Sequence, residues 1–100
     1  MLVYGVQLAL PDGFNEWFSA YTFTVTSGDR SVQLQANETA YFTYNSNATF
    51  SYTLSVTNGD GEKQEATGIY GADIAIKTGT LYLINYSLST QTLSTSAWVK

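Results

Sequence analysis

The sequence predicts an all-β sandwich of eight or nine short antiparallel strands. Three observations support this fold class: apolar and polar residues alternate with period two, turn residues interrupt the alternation about every ten residues, and no helical period of useful length appears. Short strands with regular turns are typical of sandwiches and small barrels. With 100 residues, 44% of them hydrophobic, the chain has room for one such domain, residues 1–100.

The first predicted strand covers residues 2–10, and one of its faces is entirely apolar: Leu2, Tyr4, Val6, Leu8 and Leu10. No basic residue precedes this run and no small-residue cleavage site follows it, so a strand explains it better than an export signal. A strand at the end of a small sandwich often lies at a sheet edge. We therefore expect strand addition or exchange with a neighbouring subunit here, the alternative being an ordinary core strand covered on both faces.

The other predicted strands follow the same alternation and cover residues 20–26, 31–35, 39–44, 49–57, 62–67, 73–77, 80–86 and 92–99. The segment 80–86 is apolar on both faces and is predicted to be central, whereas 62–67 is polar and predicted to be an edge. Residues 14–18 form an aromatic connector, residues 58–61 (Asn-Gly-Asp-Gly) a hairpin turn, and residues 68–71 a loop. The expected architecture is a single immunoglobulin-like β-sandwich.

The charge pattern is the main sequence signal for function. Only 12% of the residues are charged, and 39–59 and 78–99 contain no charge at all. The chain has 14 threonines, 10 serines and 8 tyrosines instead. Such a surface lacks the charges that keep strand edges from pairing. Two interpretations fit: a threonine-rich β domain without special meaning, or a subunit whose faces or edges are covered in an assembly.

Composition excludes several function classes. Without cysteine or histidine there can be no disulfide, no thiolate metal site and no histidine-based catalysis. Four basic residues and a net charge of −4 argue against nucleic-acid binding, and no apolar run is long enough for a membrane helix. Asn58, Asp60 and Glu62 have calcium-loop spacing, but Lys63 and Ile69 occupy the glycine and acidic positions, so a hairpin turn explains them. The acids fall mostly in turns, and we expect no enzyme, no cofactor and no metal.

Parts of the chain resemble two families. Residues 21–26, 31–34, 48–54, 58–61 and 81–86 are similar in order to Cna-B-type surface modules. That resemblance implies an immunoglobulin-like sandwich with Asn85 at the position of the asparagine of an internal isopeptide bond. The lysine is missing from 21–26, however, and Val56 occupies the position of the assisting glutamate. Residues 70–73, 81–84 and 97–98 resemble the end of the fungal immunomodulatory proteins, which implies lectin-like binding, although the Trp-Gly-Arg-Gly signature of that family is missing.

The sequence therefore predicts a non-catalytic structural or interaction module that acts by assembly, such as a subunit of a virion, filament or surface complex, with protein partners and self-association. The alternative is a carbohydrate-binding, lectin-like sandwich, because Trp and Tyr stack on sugars and the aromatic residues exceed what one small core is expected to hold. The candidate interaction surface combines apolar residues of the first strand with aromatic residues: Leu2, Tyr4, Val6, Leu8, Phe14, Trp17, Tyr70 and Trp98.

Overall fold

A computed structural model describes residues 2–44, 48–71 and 76–99, which form two four-stranded sheets packed face to face. The elements are β1 (Leu2–Ala9), α1 (Phe14–Trp17), β2 (Phe18–Ser27), β3 (Arg30–Leu34), β4 (Thr39–Tyr44), β5 (Phe50–Asn58), β6 (Lys63–Tyr70), β7 (Thr80–Ser87) and β8 (Thr92–Val99). The strand order is β4-β1-β7-β8 in the first sheet and β3-β2-β5-β6 in the second. The predicted all-β sandwich is confirmed, with eight strands in the described part of the chain.

Some details of the prediction are corrected. The expected strand over 73–77 lies mostly outside the described residues, and Ile76 and Lys77 are not in a strand. The expected loop over 68–71 is instead the end of β6, which pairs with β5 up to Tyr70. The aromatic connector contains a single helical turn, α1. With four residues, that helix is too short to cross a membrane, and it is the only one that the described residues form.

The first strand is interior, not an edge. β1 pairs antiparallel with β4 from Leu2 to Gln7 and parallel with β7 from Gly5 to Ala9. The prediction of antiparallel pairing alone is therefore wrong for one pair of strands. Parallel neighbours need a long crossover, and here the whole second sheet lies between them in the chain. A hydrogen bond from the Gly79 amide to the Val3 carbonyl, at 2.7 Å, joins the residue before β7 to the start of β1.

The core lies between the sheets and is built from the inward residues of each strand. The largest side chains that are completely buried come from both sheets: Tyr4, Val6, Leu8, Phe23, Val25, Phe50, Leu54, Val56, Tyr82 and Ile84. They follow the period-two alternation that the sequence shows, because alternate residues of a strand point to opposite faces.

Aromatic rings fill much of this core. The Tyr4 ring lies 5.5 Å from the rings of Phe42 and Phe50 and 6.1 Å from that of Tyr82. Burial raises the pKa of the Tyr4 hydroxyl above its ordinary value, and the hydrogen bond to Ser27, with the oxygens 2.7 Å apart, partly opposes this shift. Nine aromatic side chains are buried, whereas Trp17 and Tyr41 are more than 60% exposed, so the core holds most of the described aromatic residues but not all of them. Offset and edge-to-face packing allows a small sandwich to hold them.

A tyrosine joins the two sheets near their β6 and β8 edges. The Tyr52 ring crosses from β5 over Gly68, and its hydroxyl lies 2.9 Å from the Thr95 hydroxyl on β8. A β-carbon at Gly68 would approach the Tyr52 ring to 2.5 Å, so only glycine fits there. This contact fixes β8 against the second sheet.

Substitution of threonine by valine is expected to have opposite effects on stability at two positions of this core region. Thr80 is buried, and its hydroxyl has no hydrogen-bond partner among the described residues, whereas the Thr95 hydroxyl is paired with Tyr52. Thr80→Val is expected to stabilise the domain by about 1 kcal/mol, because an unsatisfied buried polar group is removed. Thr95→Val is expected to cost about 1–2 kcal/mol, because it removes one partner of a hydrogen bond. Urea denaturation of both variants checks this, and a loss of stability in Thr80→Val would contradict it.

Candidate functional site

The first sheet contains no charged residue in any of its four strands. β1, β4, β7 and β8 lack Asp, Glu, Lys and Arg throughout, from one edge of the sheet to the other. The second sheet differs, since both of its edge strands carry charge: Arg30 on β3, and Lys63 and Glu65 on β6. We call the first sheet the uncharged sheet. Its outer face is the candidate site.

Register places the residues of this outer face beside one another. The outward residues alternate with the buried ones: Val3, Gly5 and Gln7 on β1; Thr39, Tyr41 and Thr43 on β4; Leu81, Leu83 and Asn85 on β7; Thr92, Ser94 and Ser96 on β8. Tyr41 is 62% exposed, and Leu81 and Leu83 are half-buried. The face combines apolar side chains with neutral hydroxyl and amide groups, and has no group that changes its charge near neutral pH.

A shallow groove of about 240 Å³ crosses this face beside Gly5. Gly5 has Tyr41 as its register partner on β4 and Leu81 on β7. A β-carbon at Gly5 would lie 3.2 Å from Leu81 Cδ1 and 3.3 Å from Tyr41 Cε1, so both side chains lean over the glycine. Val3 and Gly79 complete the outer lining. Thr39 Cγ2 would be nearer still to that β-carbon, at 3.1 Å, so neighbouring side chains occupy the space that the missing side chain at Gly5 leaves, and the groove lies beside them.

One arginine lies at the shared β3 and β4 edge of the sandwich. Arg30 Nη1 donates to the Tyr41 carbonyl at 2.6 Å, and the guanidinium carbon lies 5.0 Å from the centre of the Phe42 ring. The contact ties β3 to β4 across the two sheets and occupies a backbone acceptor on β4. It also places a positive charge at this edge.

Four of the predicted interaction residues belong to the core. Tyr4, Val6, Leu8 and Phe14 are at most 3% exposed, so their assignment to the surface is wrong. Strand addition at a free edge of β1 is also wrong, because β1 is hydrogen-bonded to β4 on one edge and to β7 on the other. The competing interpretation of an ordinary core strand agrees with the structure. Apolar alternation marks the buried face but does not say which strands lie on either side.

The other four predicted residues have different positions. Trp17 is 64% exposed on α1, and Leu2 is half-buried at the start of β1. Tyr70 is also half-buried, with its ring 4.9 Å from that of Tyr82, so it closes the end of the core. Trp98 is the backbone partner of Leu81, and its side chain lies outside the described part of the structure. Of these four, Trp17 is the one that the described part of the chain leaves mostly exposed, and it does not share a surface with the buried residues.

The prediction missed the residues that form the groove, Gly5, Tyr41 and Leu81. A signal for them existed, because the second face of the first strand (Val3, Gly5 and Gln7) is uncharged and the run 80–86 is apolar on both faces. What the sequence could not supply was the register that brings these segments together.

The polar motifs have structural explanations. Asn58 Oδ1 accepts hydrogen bonds from the Asp60 and Glu62 amides, both at 2.9 Å, as the hairpin interpretation predicts. Asn85 Nδ2 donates to Ser96 Oγ at 2.9 Å, which links β7 to β8. Across residues 2–44, 48–71 and 76–99, no three acidic side chains gather as metal ligands would.

Comparison of the chain with models of known protein families gave no match, and comparisons with curated proteins and with solved structures gave none either. The resemblances to Cna-B-type modules and to fungal immunomodulatory proteins stay predictions from the sequence. The candidate site therefore depends on the geometry and chemistry of the uncharged sheet alone.

Proposed function

We propose that the chain is a non-catalytic structural module that assembles with other protein subunits through its uncharged sheet. One observation carries this proposal: all four strands of one sheet, from edge to edge, lack charge, whereas both edges of the other sheet carry it. An exposed tyrosine and two half-buried leucines lie on the uncharged face. Aromatic and apolar side chains are typical of the centres of protein interfaces, and the Arg30 charge beside Tyr41 lies at the β4 edge and belongs to the other sheet.

The charge distribution supports the same proposal. The chain has a net charge of −4, and three of its acids, Asp12, Asp29 and Asp60, lie in turns outside the strands. Two acidic subunits repel each other least where neither carries charge. A face without charged residues also loses no ionic hydration when it is covered. Contact through the uncharged sheet therefore has a low electrostatic cost.

The size of the face limits the kind of contact it can make. Four strands at about 4.8 Å spacing and about 3.3 Å per residue give a face of roughly 19 by 26 Å, or about 500 Å² in projection. A standard stable interface buries about 800 Å² of accessible surface on each partner. The face is therefore adequate for a weak contact by itself, and stable assembly requires an edge or a second copy of the contact.

The test compares two variants, each with two introduced lysines, by sedimentation at micromolar to millimolar protein concentration. Tyr41→Lys with Leu83→Lys places charge on the uncharged face, and Thr22→Lys with Ser51→Lys places the same charge on exposed positions of the second sheet. The first pair is expected to abolish self-association and the second to leave it intact, since like charges are costly within an interface. A wild-type chain that is monomeric throughout, or equal effects from both pairs, would contradict the proposal.

Glycan binding is the second candidate function, and the groove beside Gly5 is what favours it. The Tyr41 ring is 62% exposed at this groove, where a sugar ring could stack on it. Tyr41→Ala should then abolish binding on a glycan array, while Trp17→Ala should leave it unchanged. Absence of any hit with the wild-type chain would dispose of this candidate.

A further inference from the structure

We propose that β8 pairs with β8 of a second copy of this chain, antiparallel about a two-fold axis, joining two uncharged sheets into one continuous eight-stranded sheet. This inference rests on the proposed function and names its partner and its contact. In the described part of the chain β8 is hydrogen-bonded on one side only, to β7, over eight residue pairs from Thr92 to Val99. Its other side presents unpaired backbone donors and acceptors, which an added strand can use.

The other three edge strands are protected and β8 is not. β3 is five residues long and carries Arg30, which also donates to the Tyr41 carbonyl of β4. β6 carries Lys63 and Glu65. Charged side chains and short length are the usual means of preventing edge pairing. β8 has eight residues with no charge, no proline and no glycine. Its length and composition favour pairing along the whole strand.

β8 is also held in place before any partner arrives. On its inner side Thr95 is paired with Tyr52, and on its outer side Ser96 accepts from Asn85 Nδ2, both at 2.9 Å. A strand that is already ordered loses little conformational entropy when it pairs. This rigidity makes β8 a template for a partner strand.

A second copy fits this edge for reasons of charge and area. In a two-fold antiparallel pair the exposed hydroxyl side chains of one β8, those of Thr92, Ser94 and Ser96, lie beside the same set of hydroxyl side chains on the other β8. Neutral hydroxyl pairs across strands are favourable. The net charge of −4 on each copy lies elsewhere, so the edge meets its partner without repulsion. Pairing also doubles the uncharged face from about 500 to about 1000 Å² in projection, which brings it within the range of stable interfaces.

The first arm of the test places one lysine on each of two comparable edges. Ser94→Lys alters an exposed outward position of β8, and Thr67→Lys alters an exposed outward position of β6. Sedimentation of the full chain should show a wild-type monomer–dimer equilibrium that Ser94→Lys weakens about tenfold or more, because each partner strand then brings a like charge to the middle of the same paired edge. Thr67→Lys should leave the equilibrium unchanged. Circular dichroism verifies that both variants are folded.

The second arm uses the absence of natural cysteine. Single cysteine variants at each position from 92 to 97 are oxidised, and the position that faces its own copy should give a disulfide-linked dimer, since the bond requires closely spaced α-carbons. Thr67→Cys is the control and should stay monomeric. The position that links most readily gives the register of the pair. This arm still decides the question if Ser94→Lys is unfolded.

The outcomes separate this inference from the proposed function. A dimer that Ser94→Lys leaves intact and that Tyr41→Lys with Leu83→Lys dissociates would overturn the β8 pairing and support assembly through the face. A dimer that neither change weakens would overturn both proposals. A wild-type chain that is monomeric over the whole concentration range overturns both proposals, whereas an absence of cross-links at every position from 92 to 97 overturns the β8 pairing alone.

Discussion

Leu8→Lys is expected to unfold the whole domain, whereas Gln7→Lys, one residue earlier, is expected to leave it folded. Leu8 is completely buried in the interior strand β1, which lies between β4 and β7. Loss of a buried leucine alone costs about 2–5 kcal/mol, and a charge placed there without a partner adds several more. The sum is comparable to the total stability of a domain, about 5–15 kcal/mol.

Gln7 is the matched control because its side chain lies on the opposite face of the same strand. Gln7 is half-buried and accepts a hydrogen bond from Thr39 Oγ1 at 3.1 Å. Gln7→Lys removes this bond, which costs about 1 kcal/mol. Circular dichroism and thermal denaturation of the two variants make the comparison. A Leu8→Lys variant with a cooperative transition near that of the wild type would show that β1 is not part of the core.

Gly71→Ala is expected to destabilise the domain by about 2–5 kcal/mol, because steric overlap adds to backbone strain. Gly71 has a φ of 100°, which side-chain-bearing residues rarely adopt, and a β-carbon there would lie 2.5 Å from the Ala48 carbonyl oxygen. A backbone atom cannot rotate away as the end of a side chain can. The neighbouring Thr49 Cα and Ile76 Cδ1, each 3.1 Å from the same point, limit any compensating shift.

Two other glycines serve as controls that separate the cost of backbone strain from the cost of steric overlap. Gly28 has a φ of 61° and nothing near its would-be β-carbon, so Gly28→Ala isolates the backbone strain at about 1 kcal/mol. Gly59 has neither feature, and Gly59→Ala is expected to have little effect. Urea denaturation should rank the variants Gly71, Gly28 and Gly59 in order of decreasing loss. Equal losses at Gly71 and Gly28 would show that the contact with Ala48 does not matter.

The alternation of the sequence predicts the strands and their buried faces well, because the pleat of a strand fixes which residues share a face. Phe50, Leu54 and Val56 are buried as their spacing requires, and Ile84 is central as its apolar surroundings indicate. The neighbours of each strand could not be predicted. β1 resembles a free edge in the sequence, and only the register with β7 shows that both of its sides are occupied.

The candidate site was partly predictable for a similar reason. The uncharged stretches 39–59 and 78–99 are visible in the sequence, and they include β4, β7 and β8 of the uncharged sheet. The first stretch also contains β5, which lies in the other sheet. The sequence shows which segments lack charge, but strand pairing decides which of these segments share one surface. Gly5 and Tyr41 are 36 positions apart and become neighbours only through strand register.

The parallel pairing of β1 with β7 has a consequence for the order of events during synthesis. Leu2 leaves the ribosome before Leu81, and at about 5–20 residues per second the interval is roughly 4–16 seconds. During that interval β1 lacks β7, and until β4 has emerged it lacks both neighbours, so its apolar face has only part of its cover. Contacts so distant in sequence also make folding slow. The nascent chain therefore passes through a period in which β1 is open to aggregation or to a chaperone, and the emergence of β7 ends that period.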